Sequence, residues 1–423
     1  MDSDSLHGTR SVPPDADRPV RSGAGDSLGK AGAAVTVATA LANLLAYLVP
    51  MLAARRLDAD GLGAVATVMA VLAIAGVPGM GLQLVVAMAV ARHGSVHRLG
   101  RLAAIAATAT AAPLLLLTPF LAELLRLPWQ ALALTAAMAA AVVAGSAWLG
   151  VAQGAQRFGL LAVGLAALGV ARCGGVILGL LLGGDLIELL LLGVAVAVVA
   201  AGGVRWLTGV AVPETGGVRV PGLARDVWAA GSATLGLFVL TYADLIAARH
   251  LLAPAASAQY AVLNVLTKGA IWAPQVITIV AVPSLARGVA RAKWLATIGV
   301  LAVGVVLVGA TVAFGPFALR LVGGSSYTGL AAYAPAFAAV GALYALVFVL
   351  TNAQVAGGAR MPAAPTWLAT AGFCVAVLSL ERPTVGGIVT CAIVAASLTV
   401  VALLLLGRSA PTSPSVHDPG SNP

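Results

Sequence analysis

The chain has 423 residues, of which 60% are hydrophobic and only 9% are charged. A soluble protein carries roughly 25% charged residues, so the composition excludes a soluble globular protein and indicates a polytopic membrane protein. The net charge of +9 does not indicate nucleic-acid binding, because basic residues collect in the loops on one side of a membrane protein.

Residues 1–29 are polar, mixed in charge and rich in Pro, Gly and Ser. A secretory signal would instead run from a basic start directly into an apolar segment. We predict a disordered cytoplasmic tail at 1–29 and another at 408–423. Between them we predict an N-terminal six-helix lobe at 30–207, a cytoplasmic linker at 208–223 and a C-terminal six-helix lobe at 224–407.

The apolar runs between the tails are long and rich in Ala, Leu and Gly, which argues against strands. A membrane-spanning helix needs about 20 mostly apolar residues. The sequence therefore predicts an all-α polytopic membrane protein with about twelve transmembrane helices, near 30–53, 62–91, 100–122, 129–151, 159–183, 186–207, 224–248, 257–284, 294–315, 327–356, 364–380 and 384–407.

The two halves of the chain share landmarks in the same order. Predicted helix 1 ends in "AAR" at 53–55, and predicted helix 7 ends in "AAR" at 247–249. The next helix contains Pro78 in the first half and Pro274 in the second. We expect two pseudo-symmetric lobes that begin on the same side of the bilayer and flank a central cavity, which is an architecture of transporters.

The basic residues predict the orientation. With a cytoplasmic N-terminus, most Lys and Arg residues fall on the inner face, as expected for cytoplasmic loops. The outer face then holds a smaller set: Arg55, Arg56, Arg126, Arg249, Arg320 and Arg382. We therefore predict a multi-pass protein of the cell membrane with both termini in the cytoplasm.

Two cations lie inside predicted helices, Arg172 in helix 5 and Lys268 in helix 8. Charged groups at membrane depth are costly and usually face a cavity or a partner. Each is a candidate to bind a substrate phosphate from the cavity, or else a member of a structural ion pair. Asn264 precedes Lys268 by four residues, so both lie on one helical face.

Further polar side chains lie in the predicted helices. They are candidates for substrate contact, or for hydrogen bonds that hold helices together. They are Asn43, Gln83, Asn352 and Gln354.

Asp244 lies near the outer end of predicted helix 7. It could bind and release a coupling ion, H⁺ or Na⁺, during transport. Alternatively it pairs with Arg249 or Lys268 and has only a structural role.

Proline and glycine interrupt helices 2 and 8. Proline kinks are common in membrane helices, but their symmetric placement makes Pro78, Gly79 and Pro274 candidates for a gating hinge.

Signatures of enzymes are missing from the sequence. It has no paired carboxylates at catalytic spacing, no His/Cys cluster and no glycine-rich phosphate loop followed by Lys-Ser or Lys-Thr. We expect no catalytic residues, no metal site and no cofactor.

Two stretches carry a family resemblance. The first is 30–92, with "LAARRLDADGLGAVATVMAVL" and "GVPGMGLQLVVAMAVAR", and the second is 242–287, with "YADLIAARHLLAPAASAQYAVLNVL" and "PQVITIVAVPSLAR". In the second stretch the family pattern is matched by Asp244, Arg249, Pro254, Tyr260, Pro283 and Arg287. The chain resembles the polysaccharide-transporter branch of the multidrug/oligosaccharidyl-lipid/polysaccharide (MOP) exporter superfamily, which includes O-antigen flippases.

The resemblance implies a flippase that moves lipid-linked oligosaccharide or polysaccharide precursors outward by alternating access. Its partners would be the lipid-linked sugar, membrane lipids and polysaccharide-assembly proteins, and the chain would be a monomer that serves lipopolysaccharide or other polysaccharide biosynthesis. One alternative is a multidrug/cation antiporter of the same superfamily. An alternative of another class is a membrane-embedded polysaccharide polymerase or ligase.

Overall fold

The computed structural model describes residues 23–211, 223–272, 290–356, 359 and 361–406, and all regular structure in these ranges is helical. The α-helices are α1 (Gly23–Arg56), α2 (Ala59–Ala75), α3 (Val77–His93), α4 (Leu99–Leu116), α5 (Thr118–Leu125), α6 (Trp129–Gly154), α7 (Phe158–Leu182), α8 (Leu186–Ala211), α9 (Leu223–Leu251), α10 (Pro254–Trp272), α11 (Ala290–Gly323), α12 (Ala334–Ala356), α13 (Ala364–Leu378) and α14 (Val385–Leu406). A 3₁₀ helix, Ser325–Tyr333, leads into α12.

Within these ranges, 10 helical segments are long and apolar enough to cross a membrane. The other two predicted segments hold α10 and the shorter apolar helix α13. The prediction of an all-α polytopic membrane protein is therefore confirmed. The predicted tails and most of the predicted linker fall outside the described residues.

The second predicted helix is interrupted at Gly76, which separates α2 from α3. Pro78 lies in the first turn of α3, where its missing N–H costs nothing. A Cβ added to Gly79 would lie 2.8 Å from Oγ of Ser146, so this glycine lets α3 pack closely on α6. A hinge movement at Pro78 and Gly79 stays a prediction, and Pro274 lies outside the described residues.

The third predicted segment, 100–122, is not one helix. The structure divides it into α4 and α5, with the break at Leu117. Pro113 lies inside α4, and Pro119 lies at the start of α5. Proline cannot donate a backbone hydrogen bond, which weakens the helix at this point.

The helices pack mainly within two groups. In the first group, α7 packs on α1 and α8, and α6 packs on α3, α4 and α8. In the second, α12 packs on α10, α11 and α14, and α13 packs on α9 and α14. The groups meet where α2 and α3 contact α9 and α10, so this interface determines which side chains of the two halves can share a site.

Large apolar side chains cover the outside of the helices. Val198 and Val199 on α8, and Val305, Val306 and Val312 on α11, are exposed. In water such surfaces would be a liability, but hydrocarbon solvates them without cost. The exposed apolar surface therefore agrees with a protein that is surrounded by lipid.

Candidate functional site

A buried carboxylate lies in the second group of helices, between α9 and α10. Asp244 on α9 has no exposed surface. The hydroxyl of Tyr260 donates to its Oδ2 at 3.0 Å, and the amide of Asn264 lies 3.4 Å from the same oxygen. The backbone N–H of Leu245 donates to Oδ1 at 2.8 Å. Both carboxylate oxygens therefore have donors.

The spacing of three polar residues along α10 explains why they cluster around Asp244. Tyr260, Asn264 and Lys268 follow one another at intervals of four residues, which places them on one face of the helix. That face packs against α9, so a single helix surface supplies a phenol, an amide and an ammonium group around Asp244. The structure thus brings together three of the residues predicted from the sequence.

Lys268 does not form a salt bridge with Asp244 in the described part of the chain, although the two charges interact electrostatically. Its ammonium group donates instead to the carbonyl oxygen of Thr241 at 2.6 Å. Nζ also lies 3.4 Å from the centroid of the Tyr242 ring. A carbonyl dipole and an aromatic face, both on α9, therefore hold this cation.

A cavity adjoins the lysine. Its volume is about 30 Å³, which is room for a water molecule or two. Aromatic side chains dominate its wall although only 5% of the chain is aromatic, so this part of the molecule is enriched in flat, polarisable groups. The cavity is lined by Leu237, Phe238, Thr241, Tyr242, Lys268, Ile271, Trp272, Tyr344 and Phe348.

Arg172 approaches the same region from the first half of the chain. It is half-buried on α7 and interacts electrostatically with Tyr242 on α9. Within the described ranges, no hydrogen bond or salt bridge holds its guanidinium group. The two predicted membrane cations therefore both lie near Tyr242, one from each half.

The remaining polar candidates lie elsewhere. Gln83 donates to Gln153 at 2.9 Å and joins α3 to α6, and Gln354 donates to the carbonyl of Leu403 at 3.1 Å and joins α12 to α14. Asn352 donates to a carbonyl of its own helix at 2.8 Å. Asn43 is half-buried on α1. The Gln83 and Gln354 bonds agree with the packing alternative, and substrate contact by these four residues stays a prediction.

Arg249 is not the partner of Asp244, contrary to one of the two alternatives considered for that carboxylate. Its side chain is 2% exposed, and its Nη1 lies 2.8 Å from Oδ1 of Asp60 on α2. The guanidinium also donates to the carbonyls of Leu125 at 3.1 Å and Arg126 at 2.9 Å. Arg249 therefore connects the two halves at the face where α1 and α9 end.

Tyr242, Tyr260 and the aromatic cavity were missed as site features. Tyr260 had a detectable signal, since it precedes Asn264 by four residues on the same face of α10. The cavity had none, because its residues come from α9, α10 and α12 and an isolated Phe or Trp resembles a lipid-facing residue.

The cluster has the chemistry of a site for a small cation. A carboxylate oxygen is a hard ligand that suits a small cation such as Na⁺, and a carboxylate also accepts a proton. Among the described residues there is no group of three or more His, Cys, Asp and Glu that could hold a metal ion. The cluster of Asp244, Tyr260, Asn264 and Lys268 contains one carboxylate, which can balance the charge of one monovalent ion.

Comparison with known proteins gives structural neighbours only. No protein-family model matches the chain, and no curated protein matches it. An inward-facing multidrug resistance transporter of the MATE family, within the MOP superfamily, aligns with TM-score 0.60 and 16% identity over 88% of this chain and 96% of that chain.

Two further structures align over similar lengths. An outward-facing MATE-family transporter aligns with TM-score 0.56 and 14% identity over 90% of this chain and 95% of that one. A MOP superfamily transporter from Pyrococcus furiosus aligns with TM-score 0.56 and 13% identity over 90% and 95%. The chain therefore has the fold of these MOP superfamily transporters, two of which are described as multidrug resistance transporters of the MATE family. The predicted resemblance to the polysaccharide branch is not shown.

Proposed function

We propose that the chain is a secondary transporter that exports amphipathic organic solutes in exchange for a cation, H⁺ or Na⁺, by alternating access. The observation that carries this proposal is the aromatic cavity between α9, α10 and α12 of the second half, which adjoins Lys268, together with the buried carboxylate of Asp244 on the same side of α9 and α10. Its fold neighbours have been described in inward-facing and outward-facing conformations, which supports alternating access. This function corresponds to the antiporter alternative, and it takes precedence here over the lipid-linked sugar flippase.

The buried carboxylate supplies the coupling. An ionised Asp244 inside a membrane protein is costly, so it gains by binding a proton or a sodium ion. Tyr260 and Asn264 hold the carboxylate in place through hydrogen bonds to its Oδ2. Because Asp244 and Lys268 interact electrostatically, ion binding at the carboxylate changes the charge that a solute meets at the cavity wall.

The orientation follows the basic residues. We infer cytoplasmic termini and a location in the cell membrane, since Lys and Arg are concentrated on the side of the N-terminus. The face where α1 and α9 end is then the outer face. Export therefore requires the two halves to separate at the face where Arg249 now connects them.

The test is transport by the purified protein in proteoliposomes. With an imposed proton or sodium gradient, uptake of a fluorescent aromatic cation such as ethidium should exceed that of empty vesicles. Asp244→Asn should lower gradient-driven transport about tenfold or more, because the amide cannot exchange a proton or neutralise a cation. Asp185→Asn is the matched control, since Asp185 is exposed and Asn serves equally well at a helix start. Equal rates for Asp244→Asn and wild type would overturn the coupling role.

A second candidate, the flippase of lipid-linked oligosaccharides, is favoured by one observation. Arg172 and Lys268 lie near Tyr242 from opposite halves, and two cations suit a diphosphate headgroup. The Pyrococcus furiosus neighbour is described as having a binding pocket of reversed polarity that suggests a different function. The charge of the residues around this cavity is therefore used to distinguish the cation antiporter from the lipid-linked oligosaccharide flippase.

Translocation of a lipid-linked oligosaccharide in vesicles tests the second candidate. If the flippase is correct, Arg172→Ala and Lys268→Ala should each lower the translocation rate about tenfold. Both variants should leave ethidium transport less affected than Asp244→Asn does. Unchanged translocation in both variants would remove the proposed headgroup contacts.

A further inference from the structure

The ammonium group of Lys268 lies where the ammonium group of a bound organic cation would lie in a ligand site. It lies between the carbonyl oxygen of Thr241, at 2.6 Å, and the face of Tyr242, whose centroid is 3.4 Å away. An acceptor on one side and an aromatic face on the other is an arrangement that proteins use to bind organic ammonium groups. Here the cation that occupies it belongs to the protein itself.

This arrangement opens on the cavity. Thr241, Tyr242 and Lys268 all line the cavity wall, together with Phe238 and Trp272. Cavities that hold drug-sized ligands have volumes of roughly 300–1,000 Å³, which is about ten to thirty times the volume of about 30 Å³ found here. The side chain of Lys268 therefore takes up a position that the headgroup of a solute would need.

We propose that the carbonyl of Thr241 and the ring of Tyr242 form a binding subsite for the headgroup of an organic cation, and that Lys268 is its tethered occupant. A solute enters only when the lysine leaves. The apparent affinity for the solute is then reduced by the fraction of time that the lysine occupies the subsite. This inference rests on the proposed function and names its substrate class as aromatic or quaternary ammonium compounds.

The displaced lysine has a counter-ion on the same side of the site. Asp244 already interacts with Lys268 electrostatically, and Asn264, one turn from Lys268 on α10, contacts the Asp244 carboxylate. An ionised Asp244 therefore favours release of the lysine from the subsite. Binding of H⁺ or Na⁺ at Asp244 removes that counter-ion and favours return of the lysine, which expels the solute.

The test is equilibrium binding of ethidium to the full-length protein in detergent, followed by fluorescence, with no gradient and no transport. Lys268→Met, which keeps the length of the side chain without its charge, should bind ethidium about tenfold more tightly than wild type. Lys268→Arg is the matched control and should show no gain, because its cation can occupy the same subsite. Adding Tyr242→Leu to Lys268→Met should abolish the gain.

An anionic probe, 8-anilinonaphthalene-1-sulfonate, separates this proposal from a role of Lys268 as an anion receptor. Ethidium binding that is unchanged or weaker in Lys268→Met, together with a loss of the anionic probe, would overturn the tethered-cation proposal. If Lys268→Met does not give folded protein, Lys268→Gln supplies a second neutral variant with the same expected gain. If Lys268→Met binds ethidium more tightly but the protein shows no gradient-driven transport, the subsite proposal is supported and only the proposed coupling of transport to a cation gradient is rejected.

Discussion

Replacing Arg249 by methionine is expected to lower the free energy of unfolding by about 3 kcal/mol, since hydrogen bonds from a charged donor contribute ~1.5–3 kcal/mol each. The guanidinium is 2% exposed and contacts Asp60 at 2.8 Å. It also donates to the carbonyls of Leu125 and Arg126. Methionine fills similar space but donates nothing, so the carbonyl of buried Leu125 loses its partner.

Thermal unfolding in detergent, followed by tryptophan fluorescence, measures this loss. Arg56→Met is the matched control, because Arg56 lies at the end of α1 on the same face but is exposed. It should change stability by less than about 0.5 kcal/mol. Asp60→Asn should be milder than Arg249→Met, at about 1 kcal/mol or less, because the Asp60 side chain is 62% exposed. If Arg249→Met unfolds at the same temperature as the Arg56→Met control, the stabilising role of the Arg249 contacts is contradicted.

The same face carries further bonds between the two halves. Arg126 donates to the carbonyl of Leu252 at 2.9 Å, and Arg55 donates to the carbonyl of Leu321 at 2.7 Å. A ring nitrogen of His250 lies 3.0 Å from the carbonyl of Leu124. Basic side chains and backbone carbonyls thus hold this face together in the described conformation, and Arg249 is the most deeply buried of them. Export in the proposed direction must break these bonds.

Membrane solvation explains how much of the fold could be predicted from the sequence. A spanning helix must be long and apolar, because every backbone group needs a partner inside it. Because of that requirement, long apolar runs in the sequence predict spanning helices correctly for segments such as 129–151 and 159–183, which correspond to α6 and α7. It fails at 100–122, where apolarity continues through the break at Leu117 and only Pro113 and Pro119 signal the division.

The polar residues of the site could be predicted because polar groups are rare inside membrane-spanning helices. Asp244, Asn264 and Lys268 are conspicuous because charged and amide groups are rare at membrane depth, and the structure places them together. Their partners could not be deduced. Asp60 and Arg249 are 189 positions apart in the chain, and which acid meets which base is decided by how α2 packs on α9. The aromatic cavity was hidden for the same reason.

A glycine in the first half provides the second large expected effect. Gly175 on α7 faces α8, and a Cβ added there would clash with the carbonyl oxygen of Leu192 and lie 2.5 Å from Cα of Gly193. Both contacts are backbone atoms, so no side chain can rotate away, and α7 and α8 must separate. Gly175→Ala should therefore destabilise the protein by about 3 kcal/mol, despite the gain of ~1 kcal/mol that Ala gives over Gly within a helix.

Gly202→Ala on α8 is the matched control for this substitution. Nothing lies within 4 Å of a Cβ added to Gly202, so only the helix preference remains, and the variant should be as stable as wild type or more stable by up to ~1 kcal/mol. Thermal unfolding of the two variants side by side separates close packing from backbone preference. If both variants gained stability, α7 and α8 would not pack as closely as described, and the support that α8 gives to α7 beside Arg172 would have to be reconsidered.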